Sequence, residues 1–436
     1  MIVVGGGLAG LSAACMAAEG NYSVLLVEEK PFLGGRAASF EWKRNILDVG
    51  QHLHVAQCSH YLAFARKLGL SNQIYTQPEL EVDLIDADGA KASIGSSFLP
   101  PPLHLGPSLM DFPYLNPLDK LRITGPVLAG LLPANFSSRR REVFGDWLRR
   151  YGASNSTIRQ LWNPIIIATL NAPVDKVSVQ LGLMILRRVL LSKKGGRLGW
   201  LKCPHSVMMD RARQYIESRG GKVQVSTSVS AVNVDDGEFR SVVTGDGEKI
   251  HGETCISAVP SHELLSLLPK DMQNHDHFEN FTGIQWNPIV NLHMFLDRPV
   301  MEEVMLGVVG SDTQWLFDIE EIKDVSEGPH LCASISYAKD LIQSRPDRIL
   351  AKAISQLRKF LPKLRDAEVR DYAVLKQPRA TFSPHPKTQG LRPESNTPVS
   401  GLYLAGDWTD TGWPSTMESA VRSGLQACRE ATGSGE

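Results

Sequence analysis

The chain lacks the marks of several large classes of protein. Its 436 residues carry 46 basic and 47 acidic side chains, so no global field draws it to nucleic acid. Six cysteines (Cys15, Cys58, Cys203, Cys255, Cys332 and Cys428) stand far apart, with no CxxC spacing. That excludes a zinc ribbon or a disulfide framework, leaves no metal site to expect, and fits buried thiols in a reducing compartment. No stretch reaches the roughly 18 uncharged apolar residues of a spanning helix. The apolar opening MIVVGGGLAGLSAACMAA has no basic residue ahead of it, and three consecutive glycines would break the helix of a leader peptide. At this length two or three packing units are expected.

What is present begins at the first residues. Ile2-Val3-Val4 reads as a buried strand, and Gly5-Gly6-Gly7-Leu8-Ala9-Gly10 follows with a GxGxxG spacing. Gly5 permits a tight turn, Gly7 lets the backbone approach a pyrophosphate, and Gly10 allows close helix–strand contact. The backbone of Leu8 and Ala9 then opens a helix whose N–H groups face the anion. Ser23–Val27 reads as a second strand, and Glu28 ends it, 18 residues after Gly10, with Glu29 beside it. A carboxylate at that distance accepts hydrogen bonds from an adenosine ribose. A second glycine turn, Gly34-Gly35-Arg36-Ala37, aims a cation back toward the phosphates. A fold that binds only a nicotinamide dinucleotide has no reason to carry it, so the unit indicates FAD. After a strand at 38–42 comes Asp48-Val49-Gly50-Gln51-His52. There Gly50 lets the chain pass close to a flat ring, and Gln51 and His52 point into the site.

The far end supplies a second half. Gly401–Ala405 reads as a strand running into a Gly406-Asp407 turn, and a helix follows from about 416 to 431. Ser415 or Thr416 is a suitable N-cap, with Glu418 in the first turn. The N–H of Met417 and the helix dipole would stabilise negative charge on a reduced flavin, and Asp407 would hold the ribityl or phosphate region. Between the two ends, 220–225 begins a β segment that continues through 228–230, placing the backbone of Val229 against an adenine. Residues 254–260 read as a buried strand ending in a proline turn. The expected fold is therefore α/β. A Rossmann-type FAD-binding domain, discontinuous in sequence, is built from 1–75, 200–269 and 396–436. An α+β substrate domain with a mixed sheet and helices is built from 76–199 and 270–395.

The ordering GxGxxG, GGRA, DxGxH and a terminal AGDxT…MExAxxSG resembles the flavin amine oxidase and carotenoid desaturase superfamily over nearly the whole chain. Within it, Leu161–Pro164, Asn171–Pro173, Gln314–Asp318, Arg379–Phe382 and Ala405–Gly412 resemble the squalene-associated FAD-dependent desaturases, the hydroxysqualene dehydroxylases of hopanoid biosynthesis. Amine oxidases usually end the strand with Gly-Glu, whereas this chain has Gly406-Asp407. The lysine and paired aromatics of amine oxidation are not evident, although Trp413 would supply one aromatic wall.

The resemblance implies that reduced FAD delivers hydride to hydroxysqualene, water leaves and squalene forms. A hydroxyl leaves poorly, so a proton donor is needed. His52 is the first candidate, followed by Asn163 and Arg379. Trp162, Trp286 and Trp413 are candidates to offer π faces to an allylic cation. Oxidative desaturation of a C30 or C40 polyene and amine oxidation are the enzymatic alternatives, and FAD binding without catalysis is a further one. The donor that reduces the flavin is not identified by any motif. Pro- and Leu-rich residues 98–136 are followed by basic clusters at Arg139–Arg141, Arg187-Arg188, Lys193-Lys194 and Arg197. Apolar loops flanked by cations are expected to rest on anionic headgroups, which places the protein in the cytoplasm, peripheral to the inner membrane face.

Overall fold

Five strands of three residues each, drawn from distant parts of the chain, form one parallel sheet in this computed structural model, which describes residues 1–86, 88–133, 141–323 and 328–434. Their spatial order is Lys222–Gln224, Leu25–Val27, Ile2–Val4, Cys255–Ser257, Leu402–Leu404. The three central strands are buried almost throughout, as parallel strands covered on both faces must be. The helices Leu8–Glu19 and Met417–Thr432 pack against each other, and the approach is close because both carry small residues. A Cβ at Gly424 would stand 2.0 Å from the carbonyl oxygen of Ala9. Ser12 Oγ donates to the Val421 carbonyl at 3.3 Å.

One expected element divides. Lys222–Gln224 joins the parallel sheet, but the chain turns at Ser226 (φ 54°), and Val229–Asp235 opens a separate three-stranded antiparallel sheet with Glu238–Thr244 and Lys249–His251. The turn is held by Ser226 N–H donating to the Lys30 carbonyl and Thr227 N–H to that of Glu28, both at 2.9 Å.

A seven-stranded mixed sheet forms the second layer system, in the order Val369–Phe382, Trp286–Leu296, His330–Ser336, Trp315–Asp318, Met305–Val308, Glu81–Ile85, Lys91–Gly95. All neighbours are antiparallel except Met305–Val308 with Glu81–Ile85. Helix Pro346–Phe360 buries Ile349, Ala353, Leu357 and Phe360, a single stripe at helical spacing. Short helices between 103 and 190 pack around Phe144, Trp147 and Trp162, with Phe144 stacked on Trp147 at 5.5 Å. A small sheet of His54–Val55, Leu198–Leu201 and Ile74–Thr76 crosses the boundary drawn at 199/200. All six cysteines are buried thiols.

Candidate flavin site

The N-terminal glycines have three different physical duties. Gly5 adopts φ 106°, a conformation L side chains rarely take, and a Cβ there would also press on the Ala258 carbonyl. A Cβ at Gly10 would lie 1.9 Å from the Gly5 carbonyl oxygen, so this position sets the helix–strand approach. At Gly7 a Cβ would meet nothing within 4 Å. Leu8, Ala9 and Gly10 are buried, yet no side chain caps the helix they open. An uncapped N-terminus beneath an open Cβ position is what a pyrophosphate requires, and FAD fits here.

Glu28 is 7% exposed, and its carboxylate accepts the Gly6 N–H at 2.6 Å and the Lys30 N–H at 3.0 Å. It thus shapes the glycine loop as well as marking the strand end; Glu29 is exposed. Gly34 (φ 114°) donates its N–H to the Gly6 carbonyl at 2.8 Å, and Gly35 (φ 55°) faces Gly7. The second glycine turn therefore leans on the first. Arg36 forms a two-pronged ion pair with Asp407 and also donates to the Ala380 carbonyl at 3.1 Å. Ser415 Oγ donates to the same Asp407 carboxylate. Two turns 371 residues apart in sequence thus meet through one buried carboxylate.

Gly406 takes φ 140°, and its N–H donates to Ser423 Oγ at 2.8 Å. Thr416 is the N-cap: its side chain accepts the Ser419 N–H at 3.2 Å, and Met417 opens the helix. Glu418 is wholly buried rather than lying free in the first turn. It accepts from Tyr61 N–H at 2.8 Å and Arg422 Nε at 2.6 Å, and pairs with His60 Nδ1 at 3.1 Å. Val229 begins its strand two residues after Thr227, whose N–H donates to the Glu28 carbonyl, and pairs with Thr244.

The turn after Asp48 brings other groups together. Asn291 Nδ2 donates to the Val49 carbonyl at 3.3 Å and stands 3.3 Å from where a Gly50 Cβ would be. Gln51 Nε2 is buried without a partner among the described residues. His52 Nδ1 lies 2.6 Å from the Gly50 carbonyl oxygen. A carbonyl can only accept, so Nδ1 carries the proton and Nε2 presents a lone pair. Desolvation, then the neighbouring His205, push the His52 pKa down to about 4. A ring so depressed is uncharged near neutral pH, with Nε2 as an acceptor, which speaks against the expected imidazolium donor.

The other two catalytic candidates make different contacts. Asn163 Oδ1 accepts the Val174 N–H at 3.0 Å and ties a helix to the following turn. Arg379 is exposed; it is its neighbour Ala380 whose carbonyl reaches Arg36. Among the described residues neither is hydrogen-bonded to Arg36, Asp407 or the glycine turns, although Arg379 and Arg36 both act on the partly buried ring of His262. Trp162 is a core residue, and the faces of Trp286 and Trp413 are covered by arginines: Arg36 over Trp286 at 5.2 Å, Arg188 and Arg422 over Trp413 at 5.2 and 5.5 Å.

Three residues of the site carried no sequence signal. Arg392 is buried, and its guanidinium donates to the carbonyls of Trp408, Asp407 and Thr409, fixing the turn that presents Asp407. Lys323 and His205 both reach Asp48, at 2.9 Å each. A lone arginine, lysine or histidine far from any motif is ordinary in sequence. Only burial distinguishes these.

The profile of the family described as flavin containing amine oxidoreductase matches residues 8–432, and the chain belongs to that family. Among curated relatives, a 15-cis-phytoene desaturase of Narcissus pseudonarcissus is 26% identical over 97% of this chain and 78% of its own length. A hydroxysqualene dehydroxylase of Zymomonas mobilis is 24% identical over 98% of this chain and 97% of its own. A probable zeta-carotene desaturase of Synechococcus elongatus is 22% identical over 98% and 97%. Among solved structures, a putative protoporphyrinogen oxidase from Exiguobacterium superposes with TM-score 0.74 at 18% identity, covering 98% of this chain and 97% of that one. A putrescine oxidase variant gives 0.74 at 15%, covering 99% and 98%. Fold, family and cradle agree: the protein is an FAD-dependent oxidoreductase with a Rossmann-type nucleotide fold and an α+β second unit.

Proposed function

We propose that the protein reductively removes the hydroxyl of hydroxysqualene to give squalene, with residues 1–75, 200–269 and 396–436 binding FAD and 76–199 and 270–395 shaping the lipid site. The observation that carries the reading is where two of the resembling motifs meet. Asn171, in the left-handed conformation (φ 53°), donates from Nδ2 to Thr381 Oγ1 at 2.9 Å, and its Oδ1 accepts the Tyr337 N–H. Thr381 adjoins Ala380, which accepts from Arg36 in the flavin cradle. The stretch from 161 to 173 and that from 379 to 382 are thus joined next to the residue that receives Arg36, which supports assigning both to the cofactor side of the proposed lipid-binding unit. The end-to-end match with the Zymomonas mobilis dehydroxylase supports the same reading.

When bound and reduced, FAD supplies a hydride equivalent. The chain's own residues would hold it: Asp407, fixed by Arg36, Ser415 and the Arg392-held turn, on the ribityl side, and the Met417 N–H at the head of the terminal helix. His52 presents Nε2 as an acceptor, so the proton that leaves with the hydroxyl as water comes from another donor. The rate of substrate-dependent flavin reoxidation is therefore expected to be flat in His52's titration between about pH 5.5 and 8, more than a unit above its depressed pKa. A rate that declines as pH rises through about 6.5 and loses this limb in His52→Gln would restore the imidazolium as donor.

The lipid is expected to arrive from a bilayer. Among the described residues, eight of eleven exposed large apolar side chains fall between Phe98 and Leu132, with Phe98 90% exposed. No helix among the described residues is long and apolar enough to cross a membrane. Of the basic clusters, Arg141 is exposed, while Arg139 and Arg140 lie outside the described residues. Oxidative desaturation of a polyene is the second reading, favoured by the phytoene and zeta-carotene desaturases among the relatives. Anaerobic photoreduced enzyme mixed with hydroxysqualene decides between them. Squalene with oxidised flavin supports the proposal; no turnover there, with reduction of oxidised enzyme by a carotene precursor, establishes the alternative.

A further inference from the structure

Asp48 is the most densely partnered carboxylate of the site. It accepts from Ser39 Oγ at 2.5 Å, from the His205 N–H at 3.2 Å and from Lys323 Nζ at 2.9 Å, and it pairs with His205 Nδ1 at 2.9 Å. These partners come from three places in the fold. Ser39 and Asp48 belong to the hairpin Ser39–Trp42 and Asn45–Asp48, and His205 heads the helix His205–Glu217. Lys323 follows the short helix Ile319–Ile322, itself the continuation of a strand of the mixed sheet. Lys323 is 5% exposed and also donates to the Cys203 carbonyl at 2.9 Å. An ammonium and a carboxylate withdrawn from water this completely are held only by matched geometry.

The cluster adjoins the turn presented to the flavin. Two residues after Asp48 comes Gly50, whose carbonyl fixes the His52 tautomer, and the His205 ring lies 5.0 Å from that of His52. A small cavity lies between Asp48, Gln51, Pro204, His293, Lys323 and His330. Gln51 Nε2 is buried there without a partner among the described residues, and Nε2 of His205, the residue after Pro204, is likewise buried and unpartnered among them. The turn is thus pinned at Val49 by Asn291, at Asp48 by Lys323 and at His52 by its own carbonyl contact. Of these pins, Lys323 is the charged one that comes from the mixed-sheet unit.

We infer that Lys323 is a positioning residue for the flavin-facing turn: by closing the Asp48–His205 pair from the opposite unit, it fixes Gly50, Gln51 and His52 against the cofactor. This rests on the reading that the turn faces the flavin. It goes beyond that reading in giving a lysine of the second unit control over the cofactor's surroundings. The charged and titratable groups facing the His52 ring are His205, Asp48 and Lys323. Among them the lysine disfavours the imidazolium and the carboxylate favours it. Removing the cation therefore frees Asp48 to act on the rings beside it.

The test uses Lys323→Met and Lys323→Arg as purified FAD-loaded proteins, with His52 followed by histidine-selective NMR and assigned by the loss of its signal in His52→Gln. In Lys323→Met, FAD content is expected to stay at one per chain, and His52 to titrate higher. The flavin midpoint potential is expected to fall, since a cation that favours the reduced flavin is gone. Lys323→Arg, which keeps the charge, returns both values toward wild type. An unchanged His52 titration in Lys323→Met overturns the proposal. A shifted titration with an unchanged flavin potential upholds the lysine's hold on the turn and instead removes the turn from the flavin's neighbourhood. If Lys323→Met does not fold, the charge-neutral pair Asp48→Asn with Lys323→Met takes its place, read by hydrogen exchange of residues 49–54. Exchange faster by about tenfold supports positioning, and wild-type protection overturns it.

Discussion

At Gly7 and Glu28 the demands of the cofactor separate from those of the fold. Gly7 has ordinary backbone angles (φ −75°, ψ 179°) and open space where a side chain would go. Gly7→Val is therefore expected to fold with near wild-type thermal stability and to purify without FAD, because valine meets only the pyrophosphate. Glu28→Ala is expected to lose FAD and some stability together. Its carboxylate accepts two backbone N–H groups, and a charge-assisted bond of this kind is worth about 1.5–3 kcal/mol. A yellow, stoichiometrically loaded Gly7→Val protein, judged by flavin absorbance, would remove the pyrophosphate from this loop. Burial also sets the acid limit. Desolvation pushes His54 and His293 down to about 4 and His330 to about 3. Above about pH 6.5 these rings are neutral in both folded and unfolded chain. Below it the unfolded chain takes up protons that the folded one refuses, so stability is full above about 6.5 and drains as pH falls toward 4. For His54, 2% exposed, the shift corresponds to about 3 kcal/mol. Urea midpoints at pH 7 and 4.5 that coincide would show these rings to be charged in the native state.

At the scale of elements, the site depends on two helices lying closer than side chains ordinarily permit. Gly424 faces the Ala9 carbonyl across the contact between Leu8–Glu19 and Met417–Thr432. Gly424→Ala must push apart the two helices whose N-termini are the proposed contacts for the two ends of FAD. A cost of about 1–3 kcal/mol is expected, as for other overpacked cores, with weakened FAD retention on dialysis. An alanine variant with unchanged melting temperature would mean the helices give way freely. The sequence made the termini of these helices legible, since the glycine spacing and the Ser415-Thr416 cap are local signals. It did not disclose that Glu418 would be buried between His60, Tyr61 and Arg422, because those partners arrive from 358 residues away and from the next turn. The break within 220–230 is hidden from the sequence for a related reason. A β-rich run shows that strands form, while the Ser226 turn that separates two sheets is held by carbonyls at Glu28 and Lys30.

Over the whole molecule, the exposed apolar residues are gathered into one segment. Leu118, Leu121, Leu128, Leu131 and Leu132 are each more than half exposed, and Lys193 and Lys194 lie in the basic stretch that follows the helical layer. Binding to anionic liposomes is expected to be reversible and to weaken with salt. It should drop by about tenfold or more in a Leu121→Asp, Leu128→Asp variant, since each buried leucine is worth about 1.5–3 kcal/mol. Lys193→Gln with Lys194→Gln should cost about 1 kcal/mol per charge, and less at high salt. Co-sedimentation unaffected by the aspartates would mean that some other surface meets the lipid.

The sequence by itself determined the cofactor, the family and the parallel nucleotide sheet. Each of these is written in short-range spacing: glycines where backbone must turn or approach an anion, a carboxylate at the second strand's end, a cap before the last helix. It also put Asp407 and Arg36 in the cradle, though not their union. Only the tertiary structure decided the chemistry at His52. Its proton position follows from a carbonyl two residues away, and its neutrality from desolvation and from His205, over 150 residues distant. The same holds for Lys323, Arg392 and Asn171, whose roles come from burial among partners that no local pattern encodes. Spacing specifies backbone geometry, whereas the charge state and direction of a buried polar group depend on everything folded around it.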